Sequence, residues 1–350
     1  MNFKLLRATT IIITTTIGAG IYAVPFAINQ NGILVGILDL LIVGTFVYVL
    51  HRLYLEVILK TSGEHQLAGY GEIYLGKIGK TLAIVSLFTG IYGALLAYTI
   101  KSGQFIALIS NQPYPVLFSL LFFIIVSTII FLGYRIVSVF GIILLGLTIS
   151  LIELISLISL PHLALSNFQP LVYPVRASRL HPSHFFFFPY GIFLFALMSD
   201  VALPEAVKTL HDSPPLIKKA IFLGTSIPII IYLIFSLIVI GVCGKLTSTD
   251  AISGLLVFLP IWAVKLGAFM GIIIMTTAFL SLGYILRKVW QWDFGLSKPL
   301  AFVLAVLPPL LLFLLENPDF INVLNLAGAL TGGFTGILII LLYIKAKKII

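Results

Sequence analysis

Charge is what this sequence has least of. Only 9% of its 350 residues are Asp, Glu, Lys or Arg, whereas 60% are hydrophobic. A soluble domain carries roughly 25% charged residues because its surface must face water. So few charges cannot cover a water-facing surface, but they suffice for one that faces lipid. At about 30–35 residues per helix-plus-loop unit, the chain has room for about ten membrane spans. Cysteine is nearly absent too. Cys243 alone excludes an intramolecular disulfide, and within an apolar run it reads as a small packed hydrophobe. Neither H-E-x-x-H nor G-x-S-x-G occurs, and no nucleophile–base pair or metal-ligand set falls at membrane depth. An intramembrane enzyme is therefore disfavoured and no cofactor is expected. His181 and His184 lie close together, but nothing supplies further metal ligands.

The charge that is present is unevenly placed. The net charge of +9 would suit nucleic acid, but basic grooves with interleaved aromatics are missing. The basic residues sit instead at the ends of apolar runs. Those runs give approximate spans at 8–28, 33–55, 81–108, 115–133, 136–160, 185–206, 216–242, 256–284, 298–315 and 320–344. With the N-terminus inside, sixteen of the 21 Lys and Arg fall in inner segments. Lys101, Arg176, Arg179, Lys245 and Lys265 fall in outer ones. The positive-inside rule then places both termini in the cytoplasm of a multi-pass plasma-membrane protein. The basic start, Met1 to Arg7, resembles a signal peptide, but the following run reaches Pro25 without a small-x-small cleavage site and reads as a retained first span. Between spans two and three, Leu67, Tyr70, Tyr74 and Leu75 recur near helical spacing, as in a short amphipathic surface helix.

An internal repeat organises the chain. Ala23-Val24-Pro25-Phe26-Ala27 in span one and Ala202-Leu203-Pro204-Glu205-Ala206 in span six share the pattern Ala-x-Pro-x-Ala. Each follows residues that interrupt a helix, Gly18-Ala19-Gly20 in one case and Ser199-Asp200 in the other. An odd number of spans separates the copies, so the halves run through the membrane in opposite directions. The expected division is a first five-helix repeat over 1–160, an extracellular loop over 161–184, and a second repeat over 185–350.

Irregular backbone at mid-membrane survives only where it is buried or lines a polar cavity. Gly18 and Gly20 allow close approach, and Pro25 deprives the Ile21 carbonyl of its donor. Ile17 to Ile21 therefore offers free amides and carbonyls inside a span. Amides at a half-helix N-terminus suit a carboxylate; carbonyl ends suit an ammonium group or sodium. The plainer alternative is a packing kink. Asp200 in span six is a costly acid whose roles include pairing with a substrate ammonium, holding a coupling cation, carrying a proton, or capping the second half-helix with Ser199. Glu153 and Asp39 are proton-relay candidates or neutral buried acids. Thr276, Thr277 and Ser281 could join carbonyls of span one in a sodium site, or bond back to their own helix. Phe185 to Phe188, with Phe193 and Phe195 further in, form an interfacial belt or an aromatic gate. Gly328, Gly332 and Gly336 read as a close-packing stripe. Gly18-Ala19-Gly20-Ile21-Tyr22-Ala23 also fits a dinucleotide fingerprint, but no strand precedes it.

Thr16-Ile17-Gly18-Ala19-Gly20-Ile21-Tyr22-Ala23-Val24-Pro25 resembles the first-helix motif of the amino acid–polyamine–organocation superfamily, and most nearly that of the hydroxy and aromatic amino acid permeases. Thr276 to Gly283, Leu307-Pro308-Pro309-Leu310, and Phe320 with Ala327-Gly328 are similar to that family's eighth, ninth and tenth helices. The resemblance implies an all-α, leucine-transporter-type fold of two inverted five-helix repeats with helices one and six broken. It also implies import of amino acids, aromatic or other neutral ones, driven by H+ or Na+. The substrate would meet Ile17, Gly18, Ala19, Gly20, Ile21 and Tyr22 on one side, and Phe195, Ala196, Met198, Ser199 and Asp200 on the other. Thr15, Gly18, Thr276, Thr277, Glu153 and Asp200 are the coupling-ion candidates. Two features depart from the family: it commonly has an eleventh helix, and its sixth is glycine-rich where this chain has Met198-Ser199-Asp200. An alternative reading is a permease-like sensor subunit that binds amino acids without moving them.

Overall fold

The computed structural model describes residues 3–30, 32–63, 65–132, 137–168, 182–210, 213–292, 294–316 and 318–348. Among them the chain is helical. α1 (Phe3–Thr16) and α2 (Gly20–Gln30) form one span bent by 61°. α3 (Ile33–Lys60), α4 (Leu67–Ser110), α5 (Pro115–Leu132) and α6 (Val137–Ser159) complete the first half. In the second half, α7 (Pro182–Leu197) and α8 (Leu203–Thr209) flank a short 3-10 turn at Asp200–Ala202. α9 (Pro214–Cys243), α10 (Ile261–Trp292), α11 (Lys298–Glu316) and α12 (Phe320–Lys348) follow. Among the described residues seven single helices and the α7–α8 segment Pro189–Thr209 are long and apolar enough to cross a membrane, and the bent pair α1–α2 makes a ninth span; the apolar stretch Gly146–His162, at the end of α6, is shorter. Large apolar side chains such as Leu38, Ile42, Ile124, Phe222, Ile234 and Phe269 point outward. A soluble monomer does not tolerate so much exposed apolar surface, but lipid does.

Several boundaries differ from the sequence reading for local reasons. The first break is narrower than expected, covering only residues 17–19, and Pro25 sits inside a continuous α2. Near the start of a helix a proline removes a donor without breaking the ladder on both sides. The expected surface helix exists, but it is continuous with span three across a kink at Gly76, whose φ of 66° only glycine adopts readily. Its Tyr70 is buried edge-on against Tyr54, and the Tyr74 hydroxyl meets Thr61, so this segment packs beneath the bundle. α10 begins only after Pro260 and runs on to Trp292. Residues 169–181 and the side chains of Phe185 to Phe188 and His184 lie outside the described residues, so the aromatic belt and the histidine pair do too.

Contacts between helices obey an exchange of halves. α2 packs on α7 and α1 on α8, so the two broken helices run antiparallel. α9 packs on α1–α2 as α3 packs on α7–α8. α4 meets α12 as α10 meets α6, α5 lies on α4 as α11 lies on α10, and α4 and α10 meet each other. This is the arrangement expected of an inverted repeat.

Candidate functional site

The site grows from the two breaks. In α1–α2, the Ile17 amide bonds the Ile13 carbonyl, while Ile21 and Tyr22 bond back to Gly18 and Ala19 at 3.3 and 3.1 Å. The first amides of a helix have no partner in its own ladder. Those of Ala19 and Gly20 are therefore the donors presented at the start of α2. In α7, the last ladder bond runs from the Met198 amide to the Leu194 carbonyl at 2.9 Å, and Ser199 leaves the helical region with φ −141°. The carbonyls of Phe195, Ala196 and Leu197 thus form the end of α7. The breaks touch: a Cβ on Gly20 would stand 2.6 Å from the Ala196 Cβ and 2.7 Å from its Cα. Only glycine permits that approach.

Beside the breaks lies a cavity of about 120 Å³, against the ~10–15 Å³ a single water needs. Thr15, Gly18, Gly20, Phe195, Met198 and Asp200 line it, each of them expected at the site from sequence. α4 adds Leu87, Gly90, Ile91, Ala94 and Tyr98, and α12 adds Gly328, Thr331, Gly332 and Thr335. Asp200, 7% exposed, is the only charged residue among the described residues lining it. Ile17, Ala19, Ile21, Tyr22, Ala196 and Ser199 are buried just behind this wall. Ser199 precedes the 3-10 turn but caps nothing; its hydroxyl and that of Thr331 are buried without a hydrogen-bond partner. Gly328 and Gly332 bring α12 against Gly191, Leu194 and Phe195 of α7, as a close-packing stripe should.

Thr276, Thr277 and Glu153 stand apart from the lining, and the candidate hydroxyls bond within their own helices. The Thr276 hydroxyl bonds the Ile272 carbonyl at 2.7 Å, and that of Thr277 bonds Ile273 and Ile274. Thr15 likewise bonds back to Ile11. Glu153 is exposed on α6 and is not a lining residue, and Asp39 accepts a hydrogen bond from Tyr190 at 3.2 Å. Phe193 is buried in the core, away from the lining.

The cavity is closed at one end and continues towards the other. α4 and α12 are antiparallel: the Ser86 hydroxyl meets Thr335 at 2.7 Å, while Phe320 reaches Lys101. The lining follows α4 from Tyr98 back to Leu67, towards the end of the bundle that holds the chain termini. At the opposite end stands a feature the sequence reading missed. Lys101 donates to Asp250 at 2.9 Å, with side chains only 4% and 6% exposed. The Lys101 ammonium also lies 5.4 Å and 5.0 Å from the ring centres of Phe105 and Phe320. Ser248 and Ser253 hydroxyls and the Ser253 amide complete the donors around Asp250. Burial disfavours its charge, but Lys101 and these donors outweigh burial and hold the carboxyl below its ordinary range. Tyr22 packs edge-on against Phe105 beneath this seal. A lysine inside an apolar run was the available signal, since such a charge needs a partner.

Comparison with known proteins places this architecture. The profile of the tryptophan/tyrosine permease family matches residues 1–350. The chain belongs to that family. It is thus an integral membrane permease and not an enzyme. It is 24% identical to tyrosine-specific transport system 1 of Haemophilus influenzae, over 99% of this chain and 89% of that protein. It is 23% identical to glutamine transporter 2 of Aliivibrio fischeri, over 94% and 86%. The permease superposes on MhsT, solved with L-phenylalanine, with a TM-score of 0.70 over 97% of this chain and 88% of that one, at 13% identity. Mhp1, a nucleobase-cation-symport-1 family transporter, gives 0.62 over 96% and 77%, also at 13% identity. The fold is the leucine-transporter type that the first-helix motif implied.

Proposed function

We propose that this permease is a secondary active transporter that imports amino acids with neutral side chains, aromatic ones included, by alternating access driven by H+ or Na+. One observation carries the reading: two antiparallel broken helices touch beside a cavity whose only charged lining residue, among those described, is Asp200. The substrate carboxylate would take the amides of Ala19 and Gly20 at the positive end of α2. Its ammonium would take the carbonyl end of α7 together with Asp200. The side chain would lie among Leu87, Ile91, Leu194 and Phe195, where the chemistry suits an apolar or aromatic group. The substrates named for the tyrosine transport system, the glutamine transporter and the MhsT complex support an amino acid here.

The distribution of Lys and Arg supports placing both termini in the cytoplasm. On that placement the cavity leads to the cytoplasm and the Lys101–Asp250 end faces outside. The repeats are assigned to 1–160 and 185–350, joined by 161–184. The test is uptake of labelled amino acids, one at a time, by the purified protein in liposomes under an inward H+ or Na+ gradient. Accumulation that collapses with an ionophore is the expected result. Absence of uptake for every amino acid under both gradients would sink the proposal; binding without flux would point to a sensor instead.

A further inference from the structure

Tyr232 of α9 stands where the two carbonyl ends converge. It is fully buried, and its hydroxyl lies 2.8 Å from the Thr16 carbonyl and 3.2 Å from the Ala196 carbonyl. Thr16 is the last residue of α1, and Ala196 is the last but one of α7. Each helix end carries unpaired carbonyls and the negative pole of its dipole. Two such poles within reach of one atom repel each other unless something positive lies between them. A metal cation would meet that need, since hard cations take backbone carbonyl oxygens as ligands.

We propose that Tyr232 is a positioning residue of the transport site, and that its phenolic hydrogen takes the place a cation would hold between the ends of α1 and α7. A phenol has one hydrogen, which the two carbonyls share. Tyr232 belongs to neither broken helix, so α9 serves as a frame for both. The Ala19 and Gly20 amides follow Thr16 by only three and four residues, and Gly20 abuts Ala196. Any slackening of the tie therefore displaces the groups assigned to the substrate. The consequence for energy coupling is that this junction is neutralised by the chain itself and needs no sodium. The inference rests on the substrate site proposed above, but its sodium arm can be read without any substrate.

The experiment uses the full-length protein purified in detergent. Thermal stability is followed as NaCl replaces choline chloride at constant ionic strength and pH, for the native protein, Tyr232→Phe and Tyr232→Ser. L-tyrosine binding is measured in parallel. Tyr232→Phe keeps the ring and removes only the hydroxyl, so it is expected to fold and to bind L-tyrosine about tenfold more weakly, the scale set by leaving a buried carbonyl unpaired. Tyr232→Ser removes the ring and hydroxyl and opens space beside both carbonyls, which water and a cation can fill. Its melting temperature is expected to rise with Na+ by mass action, while the native protein shows no such rise. Tyr232→Phe that binds like the native protein, or Tyr232→Ser that is indifferent to Na+, overturns the inference. Native protein that transports no amino acid overturns the proposed function instead, and leaves the sodium response of Tyr232→Ser to be read separately.

Discussion

Gly20 has no room for a side chain. The atoms its Cβ would strike include the Cα of Ala196, so the clash cannot be relieved by rotating a flexible group. Gly20→Ala would push α2 away from α7. Overpacking of a filled interior costs about 1–3 kcal/mol or more, and here the strain falls on the junction that presents the Ala19 and Gly20 amides. Uptake is expected to fall to background while the variant still reaches the membrane, as measured by transport in vesicles alongside an immunoblot. Gly18, which the same motif singles out, lines the cavity. Tyr232 was not readable. A tyrosine in an apolar helix looks like core, and its partners lie 216 and 36 residues away. Thr276 and Thr277 show the second of the two readings the sequence left open. Two adjacent hydroxyls suggest ligands, but helix geometry lets each bond a carbonyl of the preceding turn, and the structure has them do so.

Among the elements, the loop between α9 and α10 carries the most consequence for its length. Asp250 organises it through Ser248 and Ser253, and it meets Lys101 of α4 from the other half of the chain. Removing one partner of a buried pair leaves the other charged and unpaired, at about 3–5 kcal/mol. Asp250→Asn is therefore expected to lower thermal stability markedly. The double variant Lys101→Met with Asp250→Asn should recover much of that loss while opening the seal. A thermal-shift series on the two singles and the double measures the coupling. The pH dependence has a definite sign. The Asp250 carboxyl is depressed in the folded state, so its contribution is fully present above the ordinary carboxylate pKa and is lost only as pH falls through the lower folded value. Mild acidification, such as accompanies an inward proton gradient, is not expected to open this end by protonating Asp250. The seal is hidden in the sequence because Lys101, near the outer end of the third apolar run, looks like an outer-loop charge, and Asp250 is 149 residues away.

At the scale of the whole molecule, the inverted repeat was legible from two short Ala-x-Pro-x-Ala copies, because a helix break at mid-membrane demands special residues and leaves a visible mark. The pairing of each helix with its counterpart's neighbours was not legible, since most helices are apolar all round and, apart from the glycines of α12, no stripe marks a contact face. The proposed topology makes its own prediction. An epitope tag after Lys348 should be cleaved by protease in inside-out vesicles and protected in right-side-out ones; the reverse pattern would invert the assignment of the cavity mouth.

The lysine–aspartate seal bears on leakage. Bulk ions scarcely reach a pair so thoroughly enclosed, so dissolved salt does little to loosen it. If the chain transports as proposed, the energy to part it comes from the cargo and the driving ion as they bind. On that proposal an unloaded carrier is expected to turn over slowly, so that the driving gradient is not dissipated while no nutrient is present.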